Sequence, residues 1–521
     1  MDAAPRIARL IGALGVTACV LALAAAGSLL LPLLNRGNPV DPSVTRTLLG
    51  ARIAVAVGGI LLILARRPLA AVLADEVRTL RLVLLVGLGL RVLAYATLWP
   101  HNNDPHYQVV LFLAEHGRFP NASESFLSFQ APLYYLLTAP LAMLGSDKLA
   151  QGLSLVLSLA NLWMLYRLIT GAGLLQSYGG RLHALALAVL LPQFVIFGLF
   201  ISNDALAYPL GTAIFLLGYR YLITPSTRGL VALAIATGLG MLTKGTFNAF
   251  LVSIPPLLLA AGAHRLDNGR RQLRNLVIWG VITVVIGGYK YFANLIEYGV
   301  PIADNSYLDL EYIERQGGTY QGISSLVDVN VAKLVRWPWV LPPEGMPASE
   351  HTQQSLPLLY YGTYWYSHIS DESGFNATHS PRFSLLPRLI YAAAVVPTLL
   401  MLISCIAAFW RNRSLRALWR DDTAGSRRRL MTLWVIGVML LHFAVVTTWG
   451  LNHDAWSFFQ SRLTFPAFFA NALLLGMGLE LWRRGRMMRD VLHVALMINY
   501  ALLGAYLGIE IAFQLVRSPP A

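Results

Sequence analysis

The sequence predicts an all-α polytopic membrane protein with about 13 transmembrane helices. Three observations carry this expectation. The 521-residue chain is 56% hydrophobic with mean hydropathy +0.57, and only 13% of its residues are charged, well below the roughly 25% of a soluble domain. Apolar runs recur at lengths near the roughly 20 residues a helix needs to cross a bilayer. The arginines behind much of the +14 net charge collect in short stretches between those runs. In a soluble chain that charge would suggest nucleic acid. Between apolar runs it reads as the positive-inside bias, and no nucleic-acid partner is expected. Cys19 and Cys405 fall within apolar runs and do not point to a disulfide framework.

The expected spans, in order, are 10–34, 48–65, 82–99, 148–169, 182–202, 205–222, 229–243, 247–262, 274–293, 386–409, 430–449, 463–482 and 490–513. The first follows Arg6 and Arg9 and is longer than the 7–15-residue apolar core of a cleaved signal peptide, so it reads as a retained helix. Residues 1–81 thus carry two N-terminal spans ahead of a core module at 82–293, an outer loop region at 294–385 and C-terminal spans at 386–521. The pieces 229–243 and 247–262 are short enough to form one broken or re-entrant element. Arg91 sits mid-span, where a charge costs about 2.5–3.5 kcal/mol on insertion scales, so it is expected to face a cavity or a polar partner inside the bundle, in a structural role.

Charge orients the stack. Arg66, Arg67, Arg78 and Arg81 flank one loop, and Arg265, Arg270, Arg271 and Arg274 fill another. Arg411, Arg413, Arg416, Arg420 and Arg427 to Arg429 fill a third, with Arg483, Arg484, Arg486 and Arg489 in a fourth. Thirteen spans place all four on one side, which is then cytoplasmic, as is the N-terminus. The opposite face receives loop 100–147, Asp204, Lys244, loop 294–385 and segment 450–462. The 15-residue stretch APLYYLLTAPLAMLG, 131–145, would reverse every later loop if it spanned. It reads instead as an interfacial helix on the outer leaflet, with Tyr134 and Tyr135 at headgroup level.

Candidate chemistry gathers on that outer face. HNNDPHYQVVLFLAEHGRFP, 101–120, places Asp104 just beyond a helix end, between His101 and His106. Asp204, in FISNDALAYPL, is held at the membrane boundary with almost no loop around it. Each acid is either a helix cap or a functional group, since Asp and Asn before a helix are good caps and an acid at the membrane is a site candidate. Lys244 and Arg462 are either lipid-facing snorkels or phosphate contacts, Lys as a point charge and Arg as a fork. Loop 294–385, with its WPW (337–339) and LLYYGTYWYSH (358–368), is too long for a plain connector. It either covers a sugar-binding cavity or packs on the outer leaflet. His101, Asp104, His106, His453 and Asp454 could bring metal ligands together, but at no fixed motif spacing. A divalent metal is therefore a candidate cofactor, with no ligand set assigned.

In order along the chain, these pieces resemble the GT-C superfamily of membrane glycosyltransferases. NNDPHYQVVLFLAEHGRFP is similar to that family's first outer loop, with its essential acid after a spanning helix. QAPLYYLL (130–137) resembles the "P-P-L-Y-Y" stretch that follows, SNDALA (202–207) the second outer loop with its supporting acid, LTKG (242–245) a later "K-G" turn, and FFQSRLTFPAF (458–468) a "Q-x-R-Y-x-x-P" element. The resemblance covers about residues 82–480. The sequence departs from it at Asn103-Asp104, where paired acids are common, at Gln130-Ala131, where a Lys or His often stands, and at Leu463, where Tyr is usual.

The resemblance implies a bacterial inner-membrane enzyme working on the extracytoplasmic face. It would transfer one sugar, with inversion, from a polyprenyl-phosphate donor to a glycan, lipid or protein acceptor. It assigns Asp104 as base, Asp204 as its support or an acceptor-orienting group, and Lys244 and Arg462 as phosphate contacts, with His101, His106, Tyr134 and Gln460 as further substrate-binding residues. Two other functions remain open: a secondary transporter or flippase for a lipid-linked or anionic substrate, whose sites belong near the midplane at broken helices, and a ligase-like transferase with a diphosphate-linked donor, in which outer arginines would dominate.

Overall fold

The structure, a computed structural model, describes residues 72–100, 105–121, 124–125, 127–263, 269–303, 322–340, 345–366, 384–412, 424–452, 459–482 and 485–516. The expected spans 10–34 and 48–65 lie outside the described residues. The described chain is built of α-helices and short 3-10 turns. In order they are α1 (Glu76–Thr97), α2 (His106–His116), α3 (Leu133–Ala142), α4 (Asp147–Gly171), α5 (Tyr178–Leu190), α6 (Pro192–Phe197), α7 (Asp204–Ile223), α8 (Thr227–Met241), α9 (Asn248–Ala263), α10 (Gly269–Gly287), α11 (Tyr289–Tyr298), α12 (Ala332–Arg336), α13 (Leu356–Trp365), α14 (Leu385–Asn412), α15 (Ala424–Asn452), α16 (Phe468–Leu481) and α17 (Arg486–Val516).

Among the described residues, seven helices are long and apolar enough to cross a membrane, or eight if the bent pair α10–α11 counts as one span. The remaining expected spans are helical but shorter. Span 182–202 is two helices, because Pro192 lacks the N–H that would continue α5. Span 274–293 ends at Gly287, and after Gly288 the chain bends by 61° into α11. The pieces 229–243 and 247–262 are α8 and α9, joined by Lys244 and a 3-10 turn at Gly245–Phe247. Within the stretch 100–147, α2 and α3 have 11 and 10 residues, too short to span.

Side-chain caps fix where several helices start. Asp75, Ser146, Ser177, Ser226 and Ser355 each accept a backbone N–H three residues on, satisfying donors that would otherwise be orphaned at a helix end. The C-terminal end of α1 is satisfied from a distance. Lys148 donates from Nζ to the carbonyls of Tyr95, at 2.9 Å, and Leu98, and also to Gln151 Oε1. Arg91, buried in the bundle, donates to Ser158 Oγ at 3.1 Å, to the Gly87 carbonyl at 3.1 Å and to the Ala188 carbonyl at 2.9 Å. It therefore staples α1, α4 and α5, the structural role its position predicts.

The centre of the bundle is α7 with the stretch Ser461–Leu481, whose most apolar windows are 61% and 83% buried, against 33% for α1 and α14. The peripheral helices expose large apolar side chains such as Leu85, Val285, Ile406 and Phe409, the expected face toward lipid tails. The two central segments approach at backbone distance. A Cβ on Gly211 would lie 2.0 Å from the Pro466 carbonyl oxygen. Only glycine fits, and this contact sets the turn carrying Arg462 against the helix that begins with Asp204. Gly211→Ala is expected to destabilise the fold at the upper end of the ~1–3 kcal/mol of overpacked cores. A clear fall in the thermal-unfolding midpoint in detergent would show it, and an unchanged midpoint would refute the contact.

Candidate active site

The site assembles from three segments of the chain. Asp204 is the first residue of α7, Lys244 follows α8 and precedes the Gly245–Phe247 turn, Gln460 precedes the 3-10 turn Ser461–Ala467, and Arg462 lies within it. Asp204 is fully buried, and Lys244 and Arg462 are 8% and 7% exposed. Lys244 Nζ meets Asp204 Oδ1 at 2.5 Å, and an Arg462 terminal nitrogen lies 3.5 Å from Asp204 Oδ2. Arg462 Nε donates to Gln460 Oε1 at 2.6 Å, and the guanidinium carbon sits 4.5 Å over the Phe197 ring. Asp204 does not serve as a cap but takes two cations, and neither cation is a lipid-facing snorkel.

This arrangement has a physical logic. A lone buried carboxylate is expensive, and a partner in good geometry is required to hold it ionised. The N-terminus of α7 adds a favourable dipole for its charge. Asp204 in turn fixes both cations, while Gln460 and Phe197 set the plane of the guanidinium. Four hydroxyls beside these residues in sequence, those of Ser202, Tyr208, Thr246 and Ser461, are buried and have no hydrogen-bond partner among the described residues. Buried polar atoms are normally satisfied, so such a group of hydroxyls marks a place where a polar ligand or water belongs.

Described parts of the stretch 100–147 pack onto this region. The Pro100 carbonyl accepts from Ile201 N–H at 2.7 Å, and Asn203 Nδ2 donates to Gln130 Oε1 at 3.0 Å. Helix α2 buries Val109, Val110 and Leu113 in one cluster with Ile201, Ala205 and Leu206 at the start of α7. His106 is buried in the same layer, its Nδ1 2.6 Å from Tyr135 OH. Tyr134 is fully buried, its OH 2.9 Å from Ser154 Oγ. Burial pushes the Tyr134 hydroxyl up to about 12, so it stays a neutral hydrogen-bonding group. The two tyrosines thus pack beneath the loop, where Ser154 and His106 supply the partners their hydroxyls need. His101 and Asp104 lie outside the described residues, between the anchored Pro100 and Pro105, and so do His453 and Asp454.

The structure therefore brings Asp204, Lys244, Gln460 and Arg462 together and places His106 and Tyr134 in the adjoining layer. Sequence reasoning missed Phe197 and Tyr208, which read as core within apolar runs. Among the described residues no group of three His, Cys, Asp or Glu side chains could hold a metal ion. At Asp204 itself two cations already face the carboxylate, a surrounding that complements an anion rather than a divalent cation.

An apolar groove of about 900 Å³ runs beside the site, lined in part by Tyr360, Tyr364, Tyr391, Val395, Phe443 and Phe459. Its wall is α13, from the aromatic stretch of the long loop, together with α14 and α15. It is tied to the site's own turn: Tyr360 OH lies 2.9 Å from Thr464 Oγ1, and Ser461 N–H donates to Thr363 Oγ1 at 3.1 Å. The part of loop 294–385 expected to cover a cavity or pack on the leaflet thus forms a groove wall next to Arg462.

No protein-family model matches the chain, and no curated protein matches it. Among solved structures, the chain is similar to ArnT from Cupriavidus metallidurans bound to undecaprenyl phosphate, at 12% identity and TM-score 0.43, covering 83% of this chain and 76% of that one. It is also similar to an Archaeoglobus fulgidus oligosaccharyltransferase in complex with zinc and sulfate, at 14% identity and TM-score 0.44, covering 82% of this chain and 53% of that one. AglB from the same organism, in complex with an inhibitory peptide and a dolichol-phosphate, matches at 14% identity and TM-score 0.40 over 85% and 56% of the two chains. The chain spans just over half the length of these archaeal proteins.

Proposed function

We propose that this protein is a membrane glycosyltransferase that moves a sugar from a polyprenyl-phosphate donor to an acceptor at the extracytoplasmic face of the membrane. The observation that carries this reading is the meeting of Lys244 and Arg462 at one buried carboxylate beside a large apolar groove. A lipid phosphate has that composition, a long apolar tail ending in an anion. Lys244 and Arg462 hold the phosphate, and the groove along α13, α14 and α15 holds the start of the tail. The motif order along residues 82–480 supports the same assignment.

In this reading the acceptor hydroxyl attacks the anomeric carbon from the face opposite the phosphate. Asp104 takes the hydroxyl proton, the bond from carbon to phosphate oxygen breaks, and the phosphate leaves with the bonding electrons. The two cations stabilise the charge that grows on that oxygen, and their fixed positions make this stabilisation effective. Asp204 contacts the cations and positions them. The transporter reading needs charge at the midplane, and the mid-span Arg91 is already satisfied by Ser158 and two carbonyls.

Arg462→Lys tests the phosphate contact. The variant keeps the charge but loses the fork, the Gln460 bond and the stacking on Phe197. Transfer from a defined polyprenyl-phosphate sugar, in reconstituted membranes, should fall about 10- to 100-fold, the worth of one charged hydrogen bond. Full activity in the variant would remove Arg462 from the phosphate.

A further inference from the structure

A second cavity of about 280 Å³ opens at the other end of α16, where Glu480 and Leu481 end the helix that Arg462 and its turn begin. A 14-residue helix separates the two ends, roughly 20 Å at 1.5 Å per residue. Arg411 and Asn412 at the end of α14, Arg429 near the start of α15, and Glu480 supply its polar lining, over a floor of Ala408 and Met477. The volume equals several waters at ~30 Å³ each, room for a phosphodiester headgroup.

The charges around this cavity are not equivalent. Glu480 Oε1 accepts the backbone N–H groups of Gln176 and Ser177, each at 2.6 Å, so one of its carboxylate oxygens is committed to the loop between α4 and α5. Asn412 donates to the Ala408 carbonyl at 2.7 Å. Arg427 reaches the Ile223 carbonyl at 3.1 Å, and the Arg428 guanidinium sits against Gly173. Of the two arginines that line the cavity, neither Arg411 nor Arg429 forms a hydrogen bond or ion pair with the described residues. Two forked cations thus face one small cavity. Beside it, α14 presents Ile406, Phe409 and Trp410, each more than half exposed. An aromatic next to a cation, below an apolar stripe, is the pattern of a membrane-interface residue set.

We infer that Arg411 and Arg429 form a binding site for the phosphate of an anionic phospholipid in the leaflet opposite the Asp204 site, with the acyl chains lying along Ile406 and Phe409. Basic pockets between transmembrane helices on the cytoplasmic side are suited to such headgroups, and the arginine distribution puts this end there. The cavity is separate from the donor groove. The packed residues Ala408, Ile436 and Leu474, with Cys405, Met439 and Met477 around them, form the wall the two share, Leu474, Cys405 and Met439 lining the groove and Ala408 and Met477 the second cavity. The site therefore does not depend on the transferase reading.

Native mass spectrometry of the detergent-purified chain tests it, with phosphatidylglycerol and phosphatidylcholine offered in equal amounts. The wild type should retain phosphatidylglycerol preferentially. Arg411→Gln with Arg429→Gln should weaken retention on the order of 30-fold, from ~1 kcal/mol per arginine at a membrane surface. The corresponding pair of lysine substitutions should restore part of it, which separates loss of charge from loss of fold. Equal retention by wild type and the glutamine variant would overturn the site. Displacement of the lipid by inorganic phosphate at comparable concentration would overturn the lipid assignment, leaving a site for free phosphate.

Discussion

Lys244→Met is expected to destabilise the protein by about 3–5 kcal/mol, the usual effect of removing one partner from a buried ion pair. Asp204 is fully buried, and its closest cation is Lys244 at 2.5 Å. Without that ammonium the carboxylate keeps only Arg462, at 3.5 Å and outside good hydrogen-bond geometry. Methionine fills a similar volume, so the loss reports charge rather than packing. The thermal-unfolding midpoint in detergent measures the effect. Asp204→Asn added to Lys244→Met should recover part of the loss, because it removes the stranded charge. A Lys244→Met protein with an unchanged midpoint would mean that the pair does not hold Asp204.

Asp104→Asn is expected to lower transfer by about 10²–10⁴-fold, the contribution of a positioned general base, while leaving the unfolding midpoint close to that of the wild type. Asparagine keeps the size and a carbonyl oxygen but cannot take the acceptor proton. The contrast with Lys244→Met is the useful part. Asp104→Asn should act on turnover alone, whereas Lys244→Met should lower both stability and turnover, because Lys244 pairs with Asp204 and, in this reading, also holds the phosphate. The neighbours of Asp104 in sequence are firmly placed, Pro100 by Ile201 and His106 by Tyr135. Turnover by Asp104→Asn at the wild-type rate would take the base role away from this residue.

Much of the fold is written in hydropathy. The runs that became α1, α4, α7, α14, α15 and α17 are legible because a bilayer demands a nearly fixed length of apolar helix. The breaks at Pro192 and Gly288 are less legible, because hydropathy reports transfer into lipid and is blind to a missing N–H or a 61° bend inside an apolar run. The candidate site divides in the same way. Asp204, Lys244 and Arg462 stand out as charges at the ends of apolar runs, where each must find a partner. Which partner could not be read, since the close approach at Gly211 and Pro466 that joins them depends on packing between segments far apart in sequence. Phe197 and Tyr208 gave no signal, since an aromatic under a guanidinium looks in sequence like any buried aromatic.

The central claim is that the carboxylate of Asp204 aims Lys244 and Arg462 at the phosphate of a lipid whose tail enters the groove beside Tyr360. An experimental structure of the reconstituted protein with a polyprenyl phosphate measures this directly. The account predicts phosphate density within hydrogen-bonding distance of Lys244 Nζ and the Arg462 guanidinium, with the first isoprene units between α13 and α14. Phosphate density away from both cations, with the groove free of lipid, would contradict it.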